Sequence, residues 1–276
     1  MKHITRIITI ILLSATVSAQ SFVGDTFEKG AINYSDRTIS AVGIGFIPEN
    51  VINAGQARRS ALRIAKQDAL RNLIEIVNGV VVNSETTISG AMFDDVIRSQ
   101  VKGAIRGAYQ VGEPTYLSDT SLEVTYEVKM SGISEILIAP ATVNISEGAS
   151  TVPQSSTVAS TTTSSITGII LDATGLGCRP AMSPKILDQS ENVLYGPGDY
   201  SREYAVMNGV VGYSKSLESA AADQRVKGNP LVIKAVAVSG TNKTDVIVGN
   251  KDVSALRSAE SSYGVLKDCR VIVVLD

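Results

Sequence analysis

Any chemistry done by this chain of 276 residues would be done without histidine, because its one histidine is His3 at the extreme N-terminus. Histidine is the side chain whose unperturbed pKa suits proton transfer near neutrality, and it is the commonest metal ligand. Its absence elsewhere turns the expectation from an enzyme toward an interaction protein. Ser/Lys hydrolase chemistry needs a serine beside a buried lysine of lowered pKa. Ser183 and Lys185 stand two apart, and Lys215 stands between Ser214 and Ser216, so the Ser-x-x-Lys spacing is missing at both places. Asp172-x-x-Gly175-x-Gly177 follows an apolar run, as a phosphate-cradling turn would. The third glycine of the dinucleotide fingerprint is absent, however, and Pro180 interrupts the expected helix. A tight turn with glycines in special backbone conformations is the expectation there. Acidic residues are scattered without metal-ligand spacing. No catalytic, cofactor-binding or metal-binding residue is assigned, and no cofactor is expected.

Two groups of residues remain as candidate docking surfaces. Arg58, Arg59, Arg63, Lys66 and Arg71 make one segment locally basic, and Arg59, Arg63 and Lys66 share a side at helical spacing. Such a side suits an acidic partner, anionic lipid or cell wall; a solvated outer face is the plainer alternative. Arg179 and Lys185 flank a second loop that could bind an anion or contact a partner. The two cysteines, Cys178 and Cys269, both fall in the C-terminal half. An oxidising compartment would permit a disulfide between them; two buried free thiols are the alternative. With no histidine nearby and no C-x-x-C, a reactive thiol is not expected.

The chain start argues for export. Lys2 and Arg6 precede the apolar run Ile7 to Leu13, and Val17-x-Ala19 is a small-residue cleavage pattern, which predicts a signal peptide over residues 1–19. The run is too short to span a bilayer, which needs about 20 residues. No cysteine follows the cleavage site, and no later stretch is long and apolar enough to cross a membrane. A periplasmic or outer-membrane-associated protein is expected. Without Lys2 and Arg6, 23 basic residues stand against 27 acidic ones, a balance that does not suggest nucleic acid.

Length and patterning predict two domains. The first is placed at residues 32–140. Thr38 to Phe46 has the look of a strand ended by Pro48. Asn53 suits a helix N-cap. Leu62, Ala65, Ala69, Leu73 and Ile76 give Gln56 to Val77 a helical period, closed by Asn78-Gly79. Val80 to Ile88 alternates as a strand. A second helix is expected over Phe93 to Ile105, with Val96, Ile97 and Val101 inward. Two strands follow, Ala108 to Leu117 and Leu122 to Met130. The result is an α+β domain, β-α-β-α-β-β, with two helices on one face of a mostly antiparallel sheet. Residues 141–165 are small, polar and non-periodic, the composition of a flexible Ser/Thr-rich linker. Residues 166–276 are expected to form a mixed α/β domain. Its predicted strands lie near Gly168 to Leu171, Pro184 to Leu187, Asn192 to Tyr195, Val210 to Tyr213, Leu231 to Val238, Asp245 to Val248 and Cys269 to Leu275. Short helices are predicted at Arg202 to Met207, Leu217 to Gln224 and Val253 to Ala259.

The first domain carries an ordered set of small motifs. These are Gly43-x-Gly45, Ala57-Arg58-Arg59-x-Ala61, Ala65-x-x-Asp68-Ala69-x-x-Asn72-Leu73, Gly79-Val80-x-Val82, Val101-x-Gly103, Arg106-Gly107-Ala108 and Tyr126-Glu127-Val128. Over roughly residues 38 to 135 this pattern resembles the domain of small bacterial outer-membrane lipoproteins that also occurs at the N-terminus of flagellar assembly protein T. The chain lacks the lipidated cysteine of the lipoprotein members, as flagellar assembly protein T also does. The segment from Asp172 to Lys185 is similar to one in uncharacterised envelope proteins with the same N-terminal domain. The resemblance implies a non-enzymatic structural or assembly factor of the cell envelope. Its implied partners are envelope proteins, flagellar ring or rod components among them, and homo-oligomers are compatible with it. A binding module for peptidoglycan or another envelope polymer is the competing expectation.

Overall fold

A computed structural model describes residues 22–47, 53–138 and 165–276. The expected signal peptide and the linker up to residue 164 lie outside the described residues. The chain forms two α+β domains.

The first domain begins with a tight hairpin, β1 (Gly24–Phe27) and β2 (Gly30–Asn33), followed by the long strand β3 (Thr38–Phe46). Helices α1 (Ala54–Asn78), α2 (Ile88–Ala91) and α3 (Asp95–Arg106) come next. Strands β4 (Tyr109–Tyr116) and β5 (Ser121–Lys129) and helix α4 (Met130–Leu137) complete the domain. The sheet order is β1-β2-β3-β5-β4, antiparallel throughout.

Small residues set how α1 sits on this sheet. Ile39, Ala41, Gly43 and Gly45 occupy one face of β3, opposite Ala61, Ala65 and Ala69 of α1. A Cβ on Gly43 would lie 2.2 Å from the Ala65 carbonyl oxygen, and one on Gly45 would lie 2.0 Å from that of Ala61. The helix therefore rests backbone against backbone, and Leu122, Val124 and Tyr126 of β5 fill in beside the alanines. The Asn53 side chain caps α1 by accepting from the Gly55 and Gln56 amides, as expected of a short polar side chain at that position.

Four local expectations are corrected. Val80 to Ile88 is not a sheet strand. It is a loop with a single bridge, Val81 to Thr87, and its alternation arises because Val80 and Val82 turn into the core shared with the second domain. Strand β1 precedes the expected domain start at residue 32, and β2 straddles it. Helix α4 follows β5 where no helix was expected. Val96 is 64% exposed rather than inward, because α3 starts on its Asp94 cap and turns Val101, as expected, together with Ile105 inward.

The second domain runs β6 (Ile169–Asp172), β7 (Ile186–Leu187), β8 (Val193–Tyr195), α5 (Arg202–Asn208), β9 (Gly212–Ser214), α6 (Leu217–Ala222), β10 (Leu231–Ser239), β11 (Asp245–Val248), α7 (Asn250–Tyr263) and β12 (Val271–Val274). Its sheet has the order β8-β7-β11-β10-β6-β12-β9. The run β10-β6-β12-β9, ending at one edge, is parallel, as is β7-β11, while β7-β8 and β10-β11 are antiparallel hairpins. Ala220 of α6 packs with Ile170, Ile272 and Val274 on one face. Leu256 and Ala259 of α7 join the larger cluster with Ile169, Leu171, Val271 and Val273 on the other.

That larger cluster does not stop at the domain boundary. It continues into Ile39, Leu73, Val80, Val82 and Ile133 of the first domain. Backbone bonds cross the joint: the Met182 and Ser183 amides donate to the Val81 and Val82 carbonyls at 3.0 and 2.7 Å, and the Asn242 amide donates to that of Ser84 at 2.9 Å. Tyr34 and Tyr213 meet edge to face across it, centroids 5.8 Å apart. The residues expected to form a strand of the first sheet are thus the seam between the domains.

Candidate docking surfaces

The basic residues of α1 divide by what they touch. Arg59 Nε donates to the Gly55 carbonyl, and the residue stays exposed. Arg63 is exposed and lines an open hollow of about 470 Å³ with Ile64, Gln67, Asp68 and Arg71. The Lys66 ammonium stands 5.5 Å from the centre of the Tyr126 ring, and the Arg58 guanidinium 5.3 Å from that of Tyr116. These two cations lean onto aromatic faces. Arg59, Arg63 and Lys66 do lie along one side, as their spacing requires, with Lys66 turned toward the sheet. Lys102 and Arg106 of the neighbouring α3 extend the cationic surface past Leu70 and Ile74.

Asp68 and Asn72, both part of the recognised motif, have a structural task. Strand β3 outruns β2, so its last residues present an unpaired edge. Asp68 Oδ2 accepts from the Ile44 amide at 3.1 Å, and Asn72 Nδ2 donates to the Val42 carbonyl at 2.7 Å. Two side chains of α1 thereby take the place of a missing strand and give these main-chain groups their partners. Asp68 also holds Arg71 at 2.5 Å.

Among the described residues, no helix lies on the far side of this sheet. Val42, Ile44 and Phe46 of β3 alternate outward, and register places Glu123 and Glu127 of β5 beside Ile44 and Ser40. Tyr109 and Val111 of β4 extend the same face, and the Tyr109 hydroxyl donates to Glu127 at 2.5 Å. Ile44 and Phe46 are 39% and 62% exposed. Sequence analysis missed this surface; the signal was Val42-x-Ile44-x-Phe46, apolar on the face opposite the two glycines.

The second candidate loop is a contact surface, but its partner is the chain's own first domain. Between Arg179 and Lys185, residues Ala181 to Ser183 are consumed by the seam, and the Tyr213 hydroxyl both donates to and accepts from Ala181 at 2.9 Å. Arg179 is exposed, with its amide on the Lys243 carbonyl. Lys185 is half-buried, and its amide is held by Asp245 at 2.9 Å.

The seam is locked by arginines that face carbonyls rather than carboxylates. Arg37 donates to the Ser134 hydroxyl and to the Val206 and Met207 carbonyls at the C-terminal end of α5. Arg202 crosses in the other direction to hold the carbonyls of Glu135 and Ile138, while Arg225, next to Arg37, holds the Asn208, Gly209 and Cys269 carbonyls within the second domain. A helix C-terminus is rich in orphan carbonyls and partial negative charge, so cations stabilise it. Burial and the neighbouring Arg225 charge lower the Arg37 pKa to about 10.

Of the two alternatives for the cysteines, the structure has the free thiols: Cys178 and Cys269 are both unbridged. Strands β6 and β12 are parallel, with Ile169 opposite Val271 and Asp172 opposite Val274. Cys178 follows the C-terminal end of β6, and Cys269 precedes the N-terminal end of β12, so the thiols sit at opposite edges of the sheet. Burial, with Asp245 and Asp276 nearby, pushes the Cys178 thiol up to about 12. Burial also raises Cys269.

The remaining candidates resolve into local structure. Ser183 shares a hydrogen bond with Tyr200, and Lys215 donates to a main-chain oxygen of Asp276. Asp172 accepts from the amide and hydroxyl of Thr174, and Gly175 and Gly177 have φ of 78° and 64°, so the phosphate-like sequence forms a tight turn. Among the described residues no group of three or more His, Cys, Asp or Glu is placed to hold a metal ion, and no helix is long and apolar enough to cross a membrane.

Residues 168–276 match the family model described as Treponema pallidum Tp0624, second domain. No curated protein matches the chain.

Proposed function

We propose that this chain is an exported, non-enzymatic docking factor of the bacterial envelope, acting in flagellar basal-body or outer-membrane ring assembly. The observation that carries the proposal is the cationic outer side of α1, where Arg59 and Arg63 stand exposed and Arg63 and Arg71 line an open hollow with Ile64 at its wall. A shallow basic surface with an apolar element suits a protein partner of acidic character. The resemblance over residues 38 to 135 supplies the compartment and the kind of assembly. The locked seam lets one rigid body present the helix side without reorganising on binding, which favours affinity.

The test is capture of the tagged protein from crosslinked envelopes, with bound proteins identified by mass spectrometry. Enrichment of flagellar ring or rod components, lost in the variant Arg59→Glu/Arg63→Glu/Lys66→Glu, is the expected result. Capture unchanged by that variant refutes the helix side as the docking surface. Recovery of wall fragments without protein refutes the assembly role in favour of a polymer-binding module.

A further inference from the structure

We infer that the open face of the first domain's sheet seats the α1 side of a second copy of this chain, so that copies join head to tail. This rests on the docking surface proposed above and gives that surface a further occupant. Ile44, Phe46, Tyr109 and Val111, with the half-buried Val42, form an apolar patch on a sheet face that no helix among the described residues covers. Contiguous patches of this kind mark interaction sites on soluble domains. The patch carries the carboxylates of Glu123 and Glu127, with Lys129 only at its far end beside Thr38. The α1 side offers the converse: Ile64, 47% exposed, lines a hollow with Arg63, Gln67 and Arg71, where Asp68 is already paired with Arg71, and Arg59 stands exposed farther along the helix. Lengths also agree. Helix α1, with 25 residues, spans about 37 Å at 1.5 Å per residue. Strand β3, with nine, spans about 30 Å.

Charge selects among the ways two copies can meet. Sheet on sheet about a two-fold axis would bring the Glu123 and Glu127 carboxylates of both copies together. Helix on helix would oppose Arg59 and Arg63 to themselves. Helix on sheet joins unlike charges and sets Ile64 against the apolar patch. Such a contact is heterologous and leaves a free face at each end, so growth continues until the rotation closes on itself.

The test is light scattering behind size exclusion on the purified protein at about 0.05 M and about 0.5 M salt, because screening weakens exposed charge pairs. Species larger than one chain are expected at low salt and should shrink at high salt. Arg59→Glu/Arg63→Glu and Glu123→Lys/Glu127→Lys should each weaken association at least tenfold. An equimolar mixture of the two should reassemble, because each supplies the sign the other has lost. Circular dichroism checks that the variants fold; if either does not, Ile64→Glu and Phe46→Glu probe the same contact through exposed side chains. A wild-type protein that stays a single chain at both salts overturns the inference, as does a folded pair of reversed variants that fails to reassemble. A single chain that still captures envelope proteins removes this inference and leaves the docking role. Self-association without such capture does the reverse.

Discussion

Replacing Arg37 by methionine isolates the energy of the seam, because methionine keeps the apolar stem and deletes the guanidinium. The wild-type group makes hydrogen bonds to Ser134, Val206 and Met207. A hydrogen bond to a charged group contributes about 1.5–3 kcal/mol when buried. Arg37 is half-buried, so water can reach part of what is left, and each bond counts at or below the low end. Removing one of two neighbouring like charges returns part of the loss, since Arg225 stands close by. The net destabilisation is about 2–3 kcal/mol. At about 2–4 °C per kcal/mol for a protein of this size, Tm falls by about 4–12 °C. A second variant separates side chain from backbone. Arg37 has φ of +56°, a left-handed conformation that costs a non-glycine residue about 1 kcal/mol and glycine nothing. Arg37→Gly should therefore melt above Arg37→Met although it removes more atoms. Differential scanning calorimetry of the three proteins decides the matter. An Arg37→Met protein melting within about 1 °C of wild type would refute the latch, and Arg37→Gly melting below Arg37→Met would refute the backbone argument.

Gly45→Val forces α1 off the sheet, because the added Cβ meets the Ala61 carbonyl at 2.0 Å; urea unfolding should show a loss of about 3 kcal/mol. Asp68→Ala releases the Ile44 amide, so hydrogen exchange at Ile44 should speed up with a global loss of only about 1 kcal/mol. Since both thiols are free, dithiothreitol should leave Tm unchanged, and a drop would restore the disulfide. Stability should decline as pH rises from about 9 toward 12. Cys178 keeps its proton in the folded chain up to about 12 against 9.0 for an ordinary thiol, so the folded state binds more protons in that window and the slope of unfolding free energy with pH is negative. Buried Tyr195 and Tyr213, both raised by burial, act in the same direction; flat denaturant midpoints across that range would refute the assignment.

Much of the fold is legible because it is local. The Asn53 cap, the alanine side of α1 and strand β11 at Asp245–Val248 depend on a few neighbouring residues. The common side of Arg59, Arg63 and Lys66 follows from helical period alone. What was misread depends on partners far along the chain. Val80 to Ile88 alternates because its apolar residues enter a core completed by residues beyond 180, and period two cannot say which neighbour receives a face. The hairpin β1-β2 hides because four-residue strands rich in Gly, Asp and Asn carry no period. Helix α4 hides because Met130–Leu137 continues a strand without a capping side chain. The loop from Arg179 to Lys185 was legible as a contact surface and not as an internal one, because charge and turn residues look the same in either setting.

The seam also changes what the connecting stretch from 139 to 164 has to do. Its near end is fixed to the second domain, since Arg202 grips the carbonyls of Glu135 and Ile138, and its far end enters β6 at the centre of the second sheet. Both ends are thus anchored to one body, and the covalent connection is mechanically redundant. A protease nick within it should leave two fragments that travel together and melt as a unit, and foreign sequence inserted there should load neither domain. Tension applied between the domains would load the Val81, Val82 and Ser84 carbonyls of the seam.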